Sequence, residues 1–326
     1  MRRRWSETHR HRRRTLARPV ISVGNLSVGG TGKTPVVAAI AQWLIAQGEH
    51  PSILSRGYAR AESPDGVVVV SDRSHVLESV ERAGDEPLML ARKVPGAAVC
   101  VSPDRYLAGK FAEGTLGCTV HVLDDGFQHI QLERQLDVLV TTIGEIPNGR
   151  VLPYGRLREP VDAASRAQVL VVSGATAGAA ASEAWTLGIS KSCGVKRTVE
   201  EPVAIESGET GALRLRSGQV GSRAERVLAV SAIAVPDGFA EGLRAAHWNV
   251  VDTLSFPDHH RYSNADLETI RQRRQTSDST AVFCTDKDAV KFESFGSIPF
   301  PLFRVPLTLE FDPPEALFDP IRAVLA

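Results

Sequence analysis

Cysteine is scarce in this chain. Four occur in 326 residues (Cys100, Cys118, Cys193 and Cys284), with no C-x-x-C pair. That excludes a disulfide-stapled fold, and cysteines so placed read as small buried hydrophobes in a reducing compartment. No apolar run approaches the ~18 residues of a membrane-spanning helix. Nor does an apolar segment follow the N-terminal arginines, so neither a secretory nor a twin-arginine signal is expected. No self-similar period is found, which excludes a repeat array. Net charge is lacking too, because 38 basic residues balance 38 acidic ones. With 43% hydrophobic residues the chain can bury real cores, and its length suits two domains or one large α/β domain.

The zero balance conceals a division. Residues 1–18 hold eight arginines (Arg2, Arg3, Arg4, Arg10, Arg12, Arg13, Arg14 and Arg18) and one acid, Glu7, which leaves 30 basic and 37 acidic residues for the rest. A head of +7 thus precedes a body of −7. Such a head suggests an anionic partner, either a lipid surface or nucleic acid.

Short β-branched runs at residues 20–23, 52–55, 67–71, 98–102, 120–123, 138–142 and 169–173 alternate with helical stretches. Continuous apolar strands between helices predict a parallel sheet covered on both faces. A helix follows the first strand, with Pro35 in its first turn, Val36, Ile40, Trp43 and Leu44 on one face and Gly48 at its end. Beyond residue 174 a run of small residues leads to expected strands at 185–189 and 203–205. Residues 207–223, rich in Gly, Ser and Arg, read as a linker or hairpin turns. Alternation resumes with strands at 227–233, 250–254, 281–284 and 302–309. Helices are expected at 238–247, at 266–274 (with a Ser263/Asp266 capping box) and after Pro314. The predicted organisation is a basic segment 1–18, a P-loop-type α/β domain 19–206, a linker 207–223 and a smaller α/β domain 224–326, whose last strand and helix can return to the first domain.

Ser27-Val28-Gly29-Gly30-Thr31-Gly32-Lys33-Thr34 follows a strand and opens a helix. Glycines there expose backbone N–H groups to phosphate oxygens, and the helix N-terminus adds positive potential. Gly29, Gly30, Thr31, Gly32, Lys33 and Thr34 are therefore expected to bind a nucleotide, with Lys33 on its β- and γ-phosphates and Thr34 on Mg²⁺. Ser27 stands where the strict pattern has glycine. An acid at a neighbouring strand end must serve the metal, and Asp124-Asp125 supplies two. Asp85, before Pro87, reads alone as a turn residue. Arg105, opening a helix at the sheet edge, could clamp a phosphate or form a solvated ion pair. Residues 152–160 (Leu-Pro-Tyr-Gly-Arg-Leu-Arg-Glu-Pro) are too rich in Pro, Gly and Arg for filler, yet composition assigns them no chemistry. Asp258-His259-His260 could supply a base, a cap or a metal pair, though no third zinc ligand is local.

Several of these pieces, in order, resemble the tetraacyldisaccharide 4′-kinase family, the lipid A 4′-kinases. They are residues 20–26 running into Val28–Pro35, Leu54-Ser55-Arg56-Gly57-Tyr58, Gly84-Asp85-Glu86-Pro87, Asp104-Arg105, Asp124-Asp125-Gly126-Phe127-Gln128-His129, Leu157-Arg158-Glu159-Pro160, Phe256-Pro257-Asp258-His259-His260 and Thr285-Asp286-Lys287-Asp288-Ala289. The resemblance spans about residues 19–292. It implies transfer of the ATP γ-phosphate, with Mg²⁺, to the 4′-hydroxyl of a tetraacylated glucosamine disaccharide 1-phosphate. Carried onto matching positions, it implies Asp124, Asp125, Thr34 and Glu159 at the metal and Arg105 at the transferring phosphoryl group. It implies Asp85 as the base or its assistant, oriented by His259. It also implies action on a lipid A precursor at the cytoplasmic face of the inner membrane, and a monomer is expected.

The chain departs from the family at its head, where relatives carry a longer apolar segment and this chain carries arginines. Contact with an anionic lipid surface is then expected to lean on charge. Two other readings compete. A regulatory ATPase with a deviant Walker loop would place a second lysine where Val28 stands. A nucleic-acid NTPase would set the arginine head on phosphates, but the head has Trp5 as its main aromatic and the acidic body repels DNA. No nucleic-acid partner is expected.

Overall fold

Five consecutive buried residues form β1 (Val20–Gly24), the pattern of a strand enclosed on both faces. A computed structural model describes residues 13–57, 66–207, 213–216 and 223–326. In it β1 lies between β5 (Val120–Asp124) and β6 (Leu136–Thr142), parallel to both. The sheet continues through β2 (Pro51–Ser55) and β4 (Ala98–Val101) to an antiparallel edge strand, β3 (Val68–Asp72). On the other side it continues through β7 (Val169–Ser173) to β8 (Lys191–Val199) and β15 (Leu307–Asp312). Among the described residues this sheet has nine strands, ordered β15-β8-β7-β6-β1-β5-β2-β4-β3. It is the α/β, P-loop-like fold expected.

The helices bury one side each. In α1 (Lys33–Ala46), Val36, Val37, Ile40, Ala41 and Leu44 enter the core, and Trp43 stacks on Phe318 of α8 (Glu315–Leu325) at 5.1 Å. The carboxyl ends of β1 and β5 meet closely. A Cβ on Gly24 would lie 2.6 Å from Phe127 Cβ and 2.7 Å from its backbone N. Glycine is required there for the Asp124-Asp125 loop to pass over β1. The longer helices of this unit also include α2 (Asp85–Lys93), α3 (Arg105–Gly114) and α4 (Ala177–Leu187).

A second sheet follows the order β10-β9-β14-β13-β11-β12, with β9 (Val203–Ser207), β10 (Leu213–Arg216), β11 (Arg226–Ser231), β12 (Asn249–Ser255), β13 (Ala281–Thr285) and β14 (Leu302–Val305). β9 runs antiparallel to both β10 and β14, and the other neighbours are parallel. Its helices are α5 (Pro236–Ala245), α6 (Asn264–Thr276) and α7 (Asp286–Phe292), and α6 opens with the expected capping box. The chain divides into two units: one runs to Lys196 and takes up Leu309–Ala326, the other is Arg197–Thr308.

Four sequence readings change. Residues 185–189 are the end of helix α4 and its Gly188 cap, not a strand; the alanine-rich stretch favours helix and the strand comes next, as β8. Residues 302–309 form two strands, each in a different sheet, broken at Pro306, which has no N–H for a ladder. The break between units falls at 196, not at 206, because β9 pairs within the second sheet. The expected linker 207–223 contains β10. Within it residues 208–212 and 217–222 lie outside the described residues, as do residues 1–12 of the basic head and Tyr58.

Candidate active site

The loop from Asn25 to Gly32 is organised by its own buried polar side chains. The Asn25 amide donates to Thr31 Oγ1 (3.0 Å) and Ser27 Oγ (3.3 Å), while Asn25 Oδ1 accepts from Lys33 Nζ at 3.0 Å. Gly32, left-handed at φ 89°, precedes α1 without any side-chain cap. The first N–H groups of the helix are thus open to an anion. At Gly29 (φ 109°) a Cβ would meet the Arg156 guanidinium at 2.3 Å.

Lys33 Nζ also lies 3.6 Å from Asp125 Oδ1. Asp125 sits in left-handed backbone (φ 52°) directly after β5. Such strain in a residue other than glycine persists where surrounding bonds fix it. Arg158 does so: it donates to Asp125 Oδ2 (2.8 Å), Gln128 Oε1 (3.1 Å), Asn25 Oδ1 (3.1 Å) and the Ser27 carbonyl (3.1 Å). One guanidinium thereby ties the phosphate loop to the acidic loop.

Asp124 is buried, with Ser55 Oγ donating to it at 3.4 Å. Burial, then the negative charges of Glu86 and Asp125, push its carboxyl up to about 7; Lys33 and Arg105 oppose the rise. Burial also acts on Asp125, but Lys33, Arg158 and Arg105 outweigh it and hold this carboxyl below its ordinary value. Arg105 is itself buried, which lowers it to about 10 against the pull of Asp124, and its Nε has no hydrogen-bond partner. His129 is lowered to about 4 by burial, with Arg105 and Arg134 adding to the effect, so it is a neutral imidazole at pH 7.

These groups fit a divalent cation on two observations. Asp125 Oδ1 is buried and makes no hydrogen bond, and Asp124 is a buried carboxyl beside the acids Glu86 and Asp125. Thr34 is the second residue of α1, as the metal role requires. Glu159 is not part of the same acidic cluster. It is held by Arg166 at 2.9 and 3.2 Å, with the Arg166 guanidinium over the Phe127 ring at 4.5 Å. Among the described residues no three His, Cys, Asp or Glu side chains converge to hold a metal. Two carboxylates and a hydroxyl suit Mg²⁺, which usually keeps waters and takes further oxygens from phosphates.

Asp85 is buried at the start of α2, and its Oδ1 accepts from Glu86 N at 2.9 Å. His259 belongs to the second unit. It also sits in left-handed backbone (φ 60°), with Nε2 3.3 Å from Lys287 Nζ and 3.7 Å from Asp258 Oδ2. Lys287 donates to Asp258 Oδ1 at 3.0 Å. The neighbouring His260 has different partners, bonded to Asp266 at 3.1 Å and stacked on Phe256. The sequence reading gave no role to Asn25, Glu86, His129, Arg158 or Lys287. Their motifs were visible, but their partners lie up to 133 residues away.

A family model described as tetraacyldisaccharide-1-P 4′-kinase matches residues 1–326. The chain belongs to that family. It is therefore a kinase of lipid A biosynthesis. Among its relatives, the tetraacyldisaccharide 4′-kinase of Geobacter sulfurreducens is 37% identical over 312 residues, covering 94% of this chain and 85% of that protein. That of Pelobacter propionicus is 41% identical over 280 residues, covering 85% and 75%. A crystal structure of the family enzyme LpxK from Aquifex aeolicus, described as an "apo" form in complex with ATP, superposes with a TM-score of 0.77 at 28% identity. It covers all of this chain and 94% of that one. Family membership excludes the regulatory-ATPase and nucleic-acid readings. No helix of the described residues is long and apolar enough to cross a membrane.

Proposed function

We propose that this chain transfers the γ-phosphoryl group of ATP to the 4′-hydroxyl of a tetraacyldisaccharide 1-phosphate. The observation that carries the reading is the uncapped start of α1, with Lys33 between Asn25 and Asp125 and the paired acids at the adjoining strand end. Backbone N–H groups of residues 29–34 and Lys33 hold the β- and γ-phosphates. Thr34, Asp124 and Asp125 would hold Mg²⁺, and Glu159, itself ion-paired with Arg166, would support the ion. When bound, that ion neutralises charge on the phosphate oxygens.

The sugar oxygen attacks γ-phosphorus as the bond to the ADP oxygen breaks, and the hydroxyl proton passes to a base. Asp85 takes or directs that proton, and His259, poised by Asp258 and Lys287, serves the same transfer. Arg105 meets the transferring phosphoryl group; its buried guanidinium with an unpartnered Nε is preorganised for an anion. Asp85→Asn and His259→Ala should each lower kcat by about 10²-fold or more, with the KM for ATP little changed. Turnover within a few-fold of wild type for either variant would remove that residue from the mechanism.

The ADP leaves into the aqueous phase, whereas the acceptor is a lipid, so we place the enzyme peripherally at the cytoplasmic face of an anionic membrane. The arginines of the head, at about 1 kcal/mol each near such a surface, supply attraction.

A further inference from the structure

Residues 150–156 form a short finger that the mechanism leaves without a task. Its base is closed by backbone bonds, Leu157 N to Arg150 O and Leu152 N to Leu157 O, both 2.9 Å, with Tyr154 N to Val151 O at 3.0 Å. Gly155 packs so tightly on Arg150 that a Cβ would lie 2.2 Å from its carbonyl oxygen. The finger is fixed to the phosphate loop: Val28 N donates to the Arg156 carbonyl and the Arg156 guanidinium donates back to the Val28 carbonyl, both at 2.8 Å.

A turn that satisfies its own backbone has no need of apolar side chains in water. Yet Val151, Leu152 and Tyr154 are 37%, 50% and 86% exposed, and Val28 is 37% exposed. Of the nine large apolar or aromatic residues exposed among the described residues, these are four, gathered on one finger and the loop residue it bonds. Charge points the same way. The body carries an acidic excess, but residues 146–158 contain no acid and three arginines, two of them, Arg150 and Arg156, flanking the apolar tip.

We propose that this finger is a membrane-contacting element, seating Leu152 and Tyr154 in the interface of an anionic lipid surface while Arg150 and Arg156 meet its headgroups. Apolar and aromatic side chains ringed by arginine are the composition that binds at that depth. Because the finger is bonded to the phosphate loop, docking it sets the nucleotide site beside the bilayer that holds the acceptor. The inference rests on the reading of the acceptor as a membrane lipid.

The test uses the full-length chain carrying Leu152→Cys labelled with an environment-sensitive nitrobenzoxadiazole probe; all four native cysteines are buried. Vesicles of phosphatidylcholine with and without phosphatidylglycerol are added, and co-sedimentation is measured on the same samples. Emission should rise and shift blue with the anionic vesicles and be quenched by doxyl-labelled lipid. Sedimentation with a silent probe would overturn the finger's role and leave membrane binding by the head standing. Neither signal would overturn both. A Val151→Ser/Leu152→Ser/Tyr154→Ser variant should bind anionic vesicles about fivefold or more weakly, with activity on detergent-dispersed acceptor within about twofold of wild type. A raised KM for ATP with unchanged vesicle binding would instead make the finger a nucleotide contact and contradict the proposal.

Discussion

The Arg158 side chain makes four hydrogen bonds in the site, and none of them is to a near neighbour in the chain. Its planar fork bonds Asn25, Asp125, Gln128 and the Ser27 carbonyl together. A lysine offers no such geometry. Arg158→Ala should therefore cost about 10²-fold in kcat/KM, about 2.7 kcal/mol of transition-state stabilisation, and Arg158→Lys should restore little of it. Full rescue by lysine would show that only charge matters there. The carboxyl beside it carries a pH prediction. Asp124 has a folded-state value of about 7, above its ordinary 3.8. A carboxyl raised by folding contributes fully below its unfolded value and loses that contribution as pH rises through about 7. Without Mg²⁺, the melting temperature of wild type should fall relative to Asp124→Asn between pH 5 and pH 8. A constant gap across that range would contradict the assignment.

At the scale of elements, the crossing of β1 by the loop after β5 depends on Gly24. A methyl there meets backbone as well as side chain of Phe127, which cannot swing away. Gly24→Ala should destabilise by about 1–3 kcal/mol, read as a lower urea midpoint at unchanged slope. An unchanged midpoint would mean that the loop relaxes freely. The strand, glycine loop and helix around residues 20–46 were legible because local pattern and chemistry agree there. Likewise Ser263 and Asp266 announced the start of α6 from four residues. Elsewhere local signals misled. Trp185 looks like a strand residue by type, yet it stands 87% exposed on the outside of α4. The break at Pro306 was printed in the sequence, but which sheet each half joins is a long-range choice. The site divides similarly: residues with local motifs, such as Lys33 and Asp124, could be named in advance. The hub role of Arg158 could not, since its partners are brought in by the fold, and neither could Glu159's engagement by Arg166.

For the whole molecule, the division of charge between head and body gains a structural anchor. Arg14 donates to both carboxylate oxygens of Asp104 at 2.8 and 2.6 Å and covers the Tyr106 ring, and Leu16 is buried against α3, the helix that Arg105 opens. The described part of the head is therefore joined to the body next to a proposed catalytic residue. Deleting residues 2–12 while keeping Arg14 and Leu16 should weaken binding to anionic vesicles, and added salt should mimic the loss. Activity on detergent-dispersed acceptor should be nearly unaffected; equal loss of both would make the head structural. The transfer itself can be read by mass spectrometry of detergent-dispersed tetraacyldisaccharide 1-phosphate after incubation with the full-length chain, ATP and Mg²⁺. The lipid should gain the mass of one phosphoryl group, located at the 4′-oxygen, in step with ADP release. ATP hydrolysis with no change in the lipid's mass would contradict it.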